Sequence, residues 1–124
     1  MAEVIIRRIE DCDPYTGPNA IPGIKFRPLG RDLGITAWGM SVLGIDPGCT
    51  GYPEHDHTKD GQEEVYVVLK GSATVVTPDG EHTLETGMVV RVGPDTKRRF
   101  LTGNDGLLLL AIGGTPGKAY PTRT

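Results

Sequence analysis

The chain has 124 residues, 37% of them hydrophobic, which suits one compact core. A formal charge of −3, with Lys97-Arg98-Arg99 as its only basic run, gives no general attraction for nucleic acid, and no nucleic-acid motif accompanies that run. Eighteen glycines and ten prolines are spread between short apolar runs, where they read as turns.

Val4–Ile9 is the first candidate strand, followed by a Pro/Gly-rich arm from Asp13 to Gly23 expected to lie on the outside of the domain. Gly23–Arg27 reads as a short strand, and Ile35–Ile45 as a longer one kinked at Gly39 or Gly44. Asp46-Pro47-Gly48 turns the chain into an extended segment around His55. After the loop Thr58–Gly61 comes the β-branched run Glu64–Leu69. Lys70-Gly71, Pro78-Asp79-Gly80 and Glu85-Thr86-Gly87 then separate strands at Ser72–Thr77, Glu81–Leu84 and Met88–Val92. Arg98–Leu101 and Leu107–Ile112 complete the set, and no window carries a sustained helical period. Many short strands at regular spacing predict an all-β sandwich or barrel.

The chemistry concentrates in Tyr52-Pro53-Glu54-His55-Asp56-His57. In an extended segment His55 and His57 share a face and Asp56 turns away. Glu64, on the next strand, adds a carboxylate. Two imidazoles and one carboxylate form a donor set for a divalent transition metal such as iron, manganese, nickel, copper or zinc.

These residues resemble the first motif of the cupin family: a glycine, five residues, H-x-H, usually three or four residues, a glutamate, six residues and a glycine. His55, His57, Glu64 and Gly71 fit it, although six residues, Thr58 to Glu63, separate His57 from Glu64, and Gly48 and Gly51 both miss the position of the opening glycine. The stretch from Gly87 through Gly93-Pro94 to Phe100 follows the family's second motif. There Arg98 occupies the place of the third metal-binding histidine. The resemblance covers about residues 34–113 and implies a double-stranded β-helix, or jelly-roll barrel. Residues 1–33 are then an N-terminal strand and arm, and 114–124 a tail, within one domain.

Arg98 cannot ligate a metal, since a guanidinium keeps its proton and has no free lone pair. It either pairs with Glu64 in place of a metal, or receives the anionic group of a small molecule beside a two-histidine, one-carboxylate site. A register slip that pointed Lys97 or Arg99 inward would supply no ligand either. By alternation, Gln62, Tyr66 and Val68 share the face of Glu64, Phe100 shares that of Arg98, and Trp38, Met40 and Val42 share one face of the preceding strand. Ligand-binding candidates are therefore Arg98, Tyr66, Gln62, Trp38, Met40 and Phe100, with plain core packing the competing reading for Trp38, Met40, Val68 and Phe100. Glu63 and His82 are expected to face solvent.

Two functional classes follow. One is a barrel that binds a small polar or anionic molecule, anchored by Arg98, with no obligate metal. The other is a metal-dependent oxygenase or isomerase using His55, His57 and Glu64. Nucleophile-elbow, phosphate-loop and dinucleotide motifs are missing. Cys12 and Cys49 form no C-x-x-C pattern and are expected as free thiols. With no secretory leader visible and Leu107–Ile112 too short to span a bilayer, the expected protein is cytoplasmic, with no membrane partner. The resemblance implies a homodimer, and Val65, Val67 and Leu69 suggest a covered outer surface.

Overall fold

The computed structural model describes residues 3–121. Its strands are β1 Ile24–Arg27, β2 Gly39–Ile45, β3 Glu63–Thr77, β4 Gly80–Glu85, β5 Val89–Val92 and β6 Arg99–Gly114, all paired antiparallel. A single helical turn, α1 Leu29–Asp32, joins β1 to β2. No described helix is long and apolar enough to cross a membrane.

The sheet runs β1-β2-β6-β3-β4, with β5 added on β3. β3 pairs with β5 through Glu64–Val67 and with β4 through Ser72–Thr77, while β6 accompanies it from Glu63↔Gly114 to Val76↔Arg99. Between these halves the ladder slips twice, between Val68 and Lys70 and between Gly71 and Ala73. Such bulges bend a strand and increase its twist. Gly71 faces Gly106 at this bend, both with positive φ (88° and 66°), and a Cβ on Gly71 would collide with the Gly106 carbonyl.

Bending lets one sheet enclose its own core. Leu43 of β2, Tyr66 and Val75 of β3, Leu84 of β4, Val92 of β5 and Leu109 of β6 meet in a single buried cluster. The opposite face of β2 and β6 is covered differently. Cys12, Leu29 and Val42 form a second cluster, flanked by Ile9, Leu33, Met40, Leu108 and Leu110, so the turn around Ile9 and Cys12, together with α1, lies on the outside of the barrel.

Several expectations are corrected. Residues 3–8 form no strand, and Ile9–Asp11 is a 3-10 turn. β2 begins only at Gly39. The strands expected at Glu64–Leu69 and Ser72–Thr77 are one bulged strand, as are Arg98–Leu101 and Leu107–Ile112 with the residues between them. Around His55 the extended segment makes only an isolated bridge, to Arg98.

Candidate metal centre

His55 and Arg98 are direct partners. The His55 N–H donates to the Arg98 carbonyl (3.2 Å) and the Arg98 N–H to that of His55 (3.0 Å). The His57 N–H donates to the Pro94 carbonyl (2.8 Å), which holds the histidine segment against the β5–β6 connection. This backbone keeps both imidazoles on one face, with ring centroids 5.2 Å apart. Glu64 reaches them from the start of β3. Its cross-strand partner is Gly113, where a Cβ would crowd the Glu64 Cγ at 3.2 Å, so the glycine leaves room for the carboxylate.

The result is a compact donor set. His57 Nε2 lies 3.1 Å and His55 Nε2 3.7 Å from Glu64 Oε1, and donor atoms of the three residues lie within 4.8 Å of one another. Ligands about 2.1 Å from a common ion and at right angles to each other are about 3 Å apart, so this spacing fits one transition metal. The other ring nitrogens are engaged. His57 Nδ1 faces the Asp60 carboxylate at 3.1 Å, and His55 Nδ1 faces the Pro53 carbonyl at 3.0 Å. Both acceptors favour the Nδ1–H tautomer, which turns an Nε2 lone pair toward the shared spot. Metal-binding histidines are oriented by second partners of this kind.

Asp60 is held in turn: the Gln62 amide nitrogen Nε2 donates to Oδ2 (2.8 Å) and the Gln62 backbone N–H to Oδ1 (3.2 Å). Asp56, on the opposite parity, accepts from the Thr58 N–H and hydroxyl and stays outside the donor set.

Behind Glu64 the site is closed. The Tyr66 hydroxyl donates to Glu64 Oε1 at 2.5 Å, and Phe100 packs edge-on against both Tyr66 and Tyr52. Arg98 is 0% exposed. Its Nη2 is 3.9 Å from Glu64 Oε1 and donates to the Gly93 and Val92 carbonyls (3.2 and 3.4 Å), while Nη1 donates to the His55 carbonyl (3.4 Å). Nε has no partner.

Burial works against ionisation of Glu64, but the nearby His55 imidazole and the hydrogen bond from Tyr66, with the charges of His57 and Arg98, outweigh it and hold the carboxyl below its ordinary range. His55 is shifted upward, chiefly by the Glu64 carboxylate 3.7 Å from its Nε2, against partial burial and the Arg98 charge. Burial, the neighbouring Tyr52 and the Glu64 charge push the Tyr66 hydroxyl up, so it remains a donor. Burial likewise lifts Tyr52 to about 12, against the lowering hydrogen bond with Tyr66.

These shifts set a pH dependence for the metal-free protein. The depressed Glu64 contributes stability fully present above its ordinary value of 4.5 and lost as pH falls through its lowered value. The raised His55 contributes stability fully present below its ordinary value of 6.5 and lost as pH rises through its raised value. With a chelator present, the stability gap between wild type and Glu64→Gln is therefore expected to be widest between pH 4.5 and 6.5 and to narrow on both sides. Thermal unfolding of both proteins across a pH series checks this. A gap that keeps widening to pH 8 would contradict the pairing.

The structure places the candidate residues in three groups. His55, His57 and Glu64 come together. Tyr66, Arg98 and Phe100 stand directly behind them, buried, and Gln62 supports Asp60. Trp38 and Met40 are elsewhere: Met40 packs in the outer cluster with Val42, and Trp38, 44% exposed, lines a shallow outer depression with Glu63, Val65 and Arg91. β2 presents Leu43 and Ile45 to the barrel, so the parity shared by Trp38, Met40 and Val42 is the outer one. Arg98, the expected ligand anchor, has no exposed surface, and its guanidinium lies against three carbonyls and Glu64. The open side is a cavity of about 420 Å³ lined by His55, Asp56, His57, Thr58, Lys59, Asp60 and Lys97. Asp60 and the two lysines were not among the sequence candidates. The available signal was the long spacing between His57 and Glu64, which brings in an extra acidic turn. Glu63 and His82 face solvent as expected.

A bulged antiparallel barrel, with two histidines and a glutamate gathered at one end of its interior, defines a cupin-type domain. Residues 41–113 match the cupin domain family, and the chain belongs to it. Similar solved structures include a cupin 2 conserved barrel domain protein of Salinispora arenicola (14% identity, 93% of this chain and 92% of that one, TM-score 0.71). KdgF of a Halomonas species is similar at 15% identity over 91% and 93% of the two chains, TM-score 0.70. A cupin-superfamily sugar phosphate isomerase of Silicibacter pomeroyi matches at 19% identity over 82% and 67%, TM-score 0.65. At these identities the likeness is one of fold. No curated protein matches the chain.

Proposed function

We propose that this protein is a metal-dependent cupin that binds a small polar or anionic molecule at a two-histidine, one-carboxylate centre. The observation that carries this reading is the tautomer control at both imidazoles: Asp60 and the Pro53 carbonyl take the two Nδ1 positions, and both Nε2 atoms converge on Glu64. His55, His57 and Glu64 would hold the ion. A divalent metal there supplies Lewis acidity to a bound oxygen, the chemistry shared by isomerases and oxygenases.

The chain's own groups prepare that centre. Tyr66 and Arg98 keep Glu64 ionised and fixed in direction. Phe100, Tyr52 and Tyr66 close the inner side against water. With Arg98 buried, Lys59 and Lys97 at the mouth are the cations available to an anionic ligand, and neither has a carboxylate partner within 4.0 Å among the described residues. The two unpaired thiols, Cys12 and Cys49, support a reducing cytosol as the compartment.

Three protein ligands leave coordination positions open, which gives a direct test. The protein is loaded with Co(II) and titrated with oxalate while the visible bands are followed. A saturable change is expected; bands that stay fixed would overturn the small-molecule reading. One feature favours a second reading, a metal-free binding barrel: Arg98 already places a positive charge 3.9 Å from Glu64 Oε1. On that reading, oxalate or another small anion binds equally well in the presence of a chelator.

A further inference from the structure

Oε1 of Glu64 is where the site converges: His57 Nε2 and His55 Nε2 face it at 3.1 and 3.7 Å, the Tyr66 hydroxyl donates to it at 2.5 Å, and Arg98 Nη2 stands 3.9 Å away. The imidazoles would share an ion with this oxygen, whereas Tyr66 and Arg98 draw on the same electron density that the ion would use. Both are buried, and the His55, Val92 and Gly93 carbonyls fix the guanidinium, so it neither swings into solvent nor loses its proton. Phe100, Tyr52 and Val92 close the inner side around it. The other charges stand at the mouth, where Asp56 and Asp60 accompany Lys59 and Lys97. Asp60 faces His57 Nδ1 with its side chain 48% exposed, and all four mouth residues reach water, which screens them.

In the interior, two neutral imidazoles add no charge, and the Glu64 carboxylate and the Arg98 guanidinium cancel. A divalent ion held there keeps its whole charge uncompensated by the protein. Loss of an electron would raise that charge beside a cation that cannot move away, in surroundings where charges interact more strongly than in water. Net charge, hydrogen bonds to the ligands and burial are the means by which a protein sets the potential of a metal, and here all three favour the lower valence. We infer that Arg98 and Tyr66, as positioning residues acting through Glu64, hold this centre in its divalent state. Its chemistry is then polarisation of a bound oxygen, as in isomerisation or the addition and loss of water, and not electron transfer to dioxygen. The inference rests on the metal-dependent reading above and decides between the isomerase and oxygenase classes that the reading leaves open.

The test is the valence of iron in the full chain. Protein loaded with Fe(II) under anaerobic conditions is titrated by mediated potentiometry, and a second sample is exposed to air while the ferric EPR signal is followed. Wild type is expected to keep its iron ferrous while free Fe(II) in the same buffer oxidises. Arg98→Met and Tyr66→Phe are each expected to raise the preference for Fe(III) over Fe(II) about tenfold, a fall of about 59 mV in the one-electron midpoint. Arg98→Lys, which keeps the charge, is expected to shift it less than Arg98→Met. Tyr66→Phe removes one hydroxyl and leaves the ring against Phe100, so it decides the matter even where Arg98→Met fails to fold. Wild-type iron that oxidises as fast as free Fe(II), or a midpoint unmoved by Tyr66→Phe, overturns the inference and leaves the metal centre standing. A wild-type chain that binds no Fe(II) overturns the metal-dependent reading itself, and this inference with it.

Discussion

Arg98→Ala is expected to destabilise the fold by about 3 to 5 kcal/mol, the usual effect of removing one partner from a buried charged pair. The guanidinium is fully buried, so its loss opens a cavity, strips the His55, Val92 and Gly93 carbonyls of a donor and leaves Glu64 without its nearest permanent cation. Equilibrium denaturation in the presence of a chelator measures the effect. A divalent metal should then raise the thermal midpoint more in Arg98→Ala than in wild type, since the ion restores positive charge beside Glu64 and stabilises the folded state it binds. A loss below about 1 kcal/mol would mean that the guanidinium is not part of the charge balance around Glu64.

Replacing His57 with alanine is the second large effect, and it acts on binding. The substitution removes one of three donors and releases Asp60 from the imidazole it orients. Loss of a second partner alone typically costs 10- to 100-fold in metal affinity, so loss of the ligand itself is expected to exceed about 100-fold. Because the His57 side chain is still partly exposed and lies outside the main core cluster, the fold should persist. Isothermal titration with Zn(II) and Mn(II) reads the change. Equal affinities in wild type and His57→Ala would remove His57 from the centre.

Much of this centre was legible in the sequence, for a definite reason. Alternation in an extended segment puts His55 and His57 on one side whether or not the segment is a regular strand, and here a single bridge to Arg98 suffices. Arg98 at the third-histidine position correctly pointed inward. Its hydrogen bonds to three carbonyls were not legible, because they depend on how the chain turns at Val92-Gly93, several residues away. Trp38 and Met40 illustrate the limit of parity. Alternation identifies two faces without saying which encloses the core, and in β2 both Val42 and Leu43 are buried, one beneath α1 and the turn around Ile9 and Cys12, the other inside the barrel. Asp60 escaped notice because a turn aspartate is ordinary; only folding reveals that its carboxylate meets His57 Nδ1. α1 is a single turn, shorter than any helical period can register. The exposed N-terminal segment shows the complementary failure, since Val4–Ile9 has strand chemistry but pairs with no strand among the described residues.

The most direct test of the central claim is the metal content of untagged protein, purified after growth in medium supplied with first-row metals and measured by elemental mass spectrometry beside His55→Ala and His57→Ala. A functional two-histidine, one-carboxylate centre predicts close to one metal ion per wild-type chain and almost none in either variant. Wild-type protein that carries no metal, and whose thermal midpoint is unmoved by added Mn(II), Fe(II), Co(II), Ni(II) or Zn(II), would contradict it and leave Glu64 and Arg98 as a permanent internal pair.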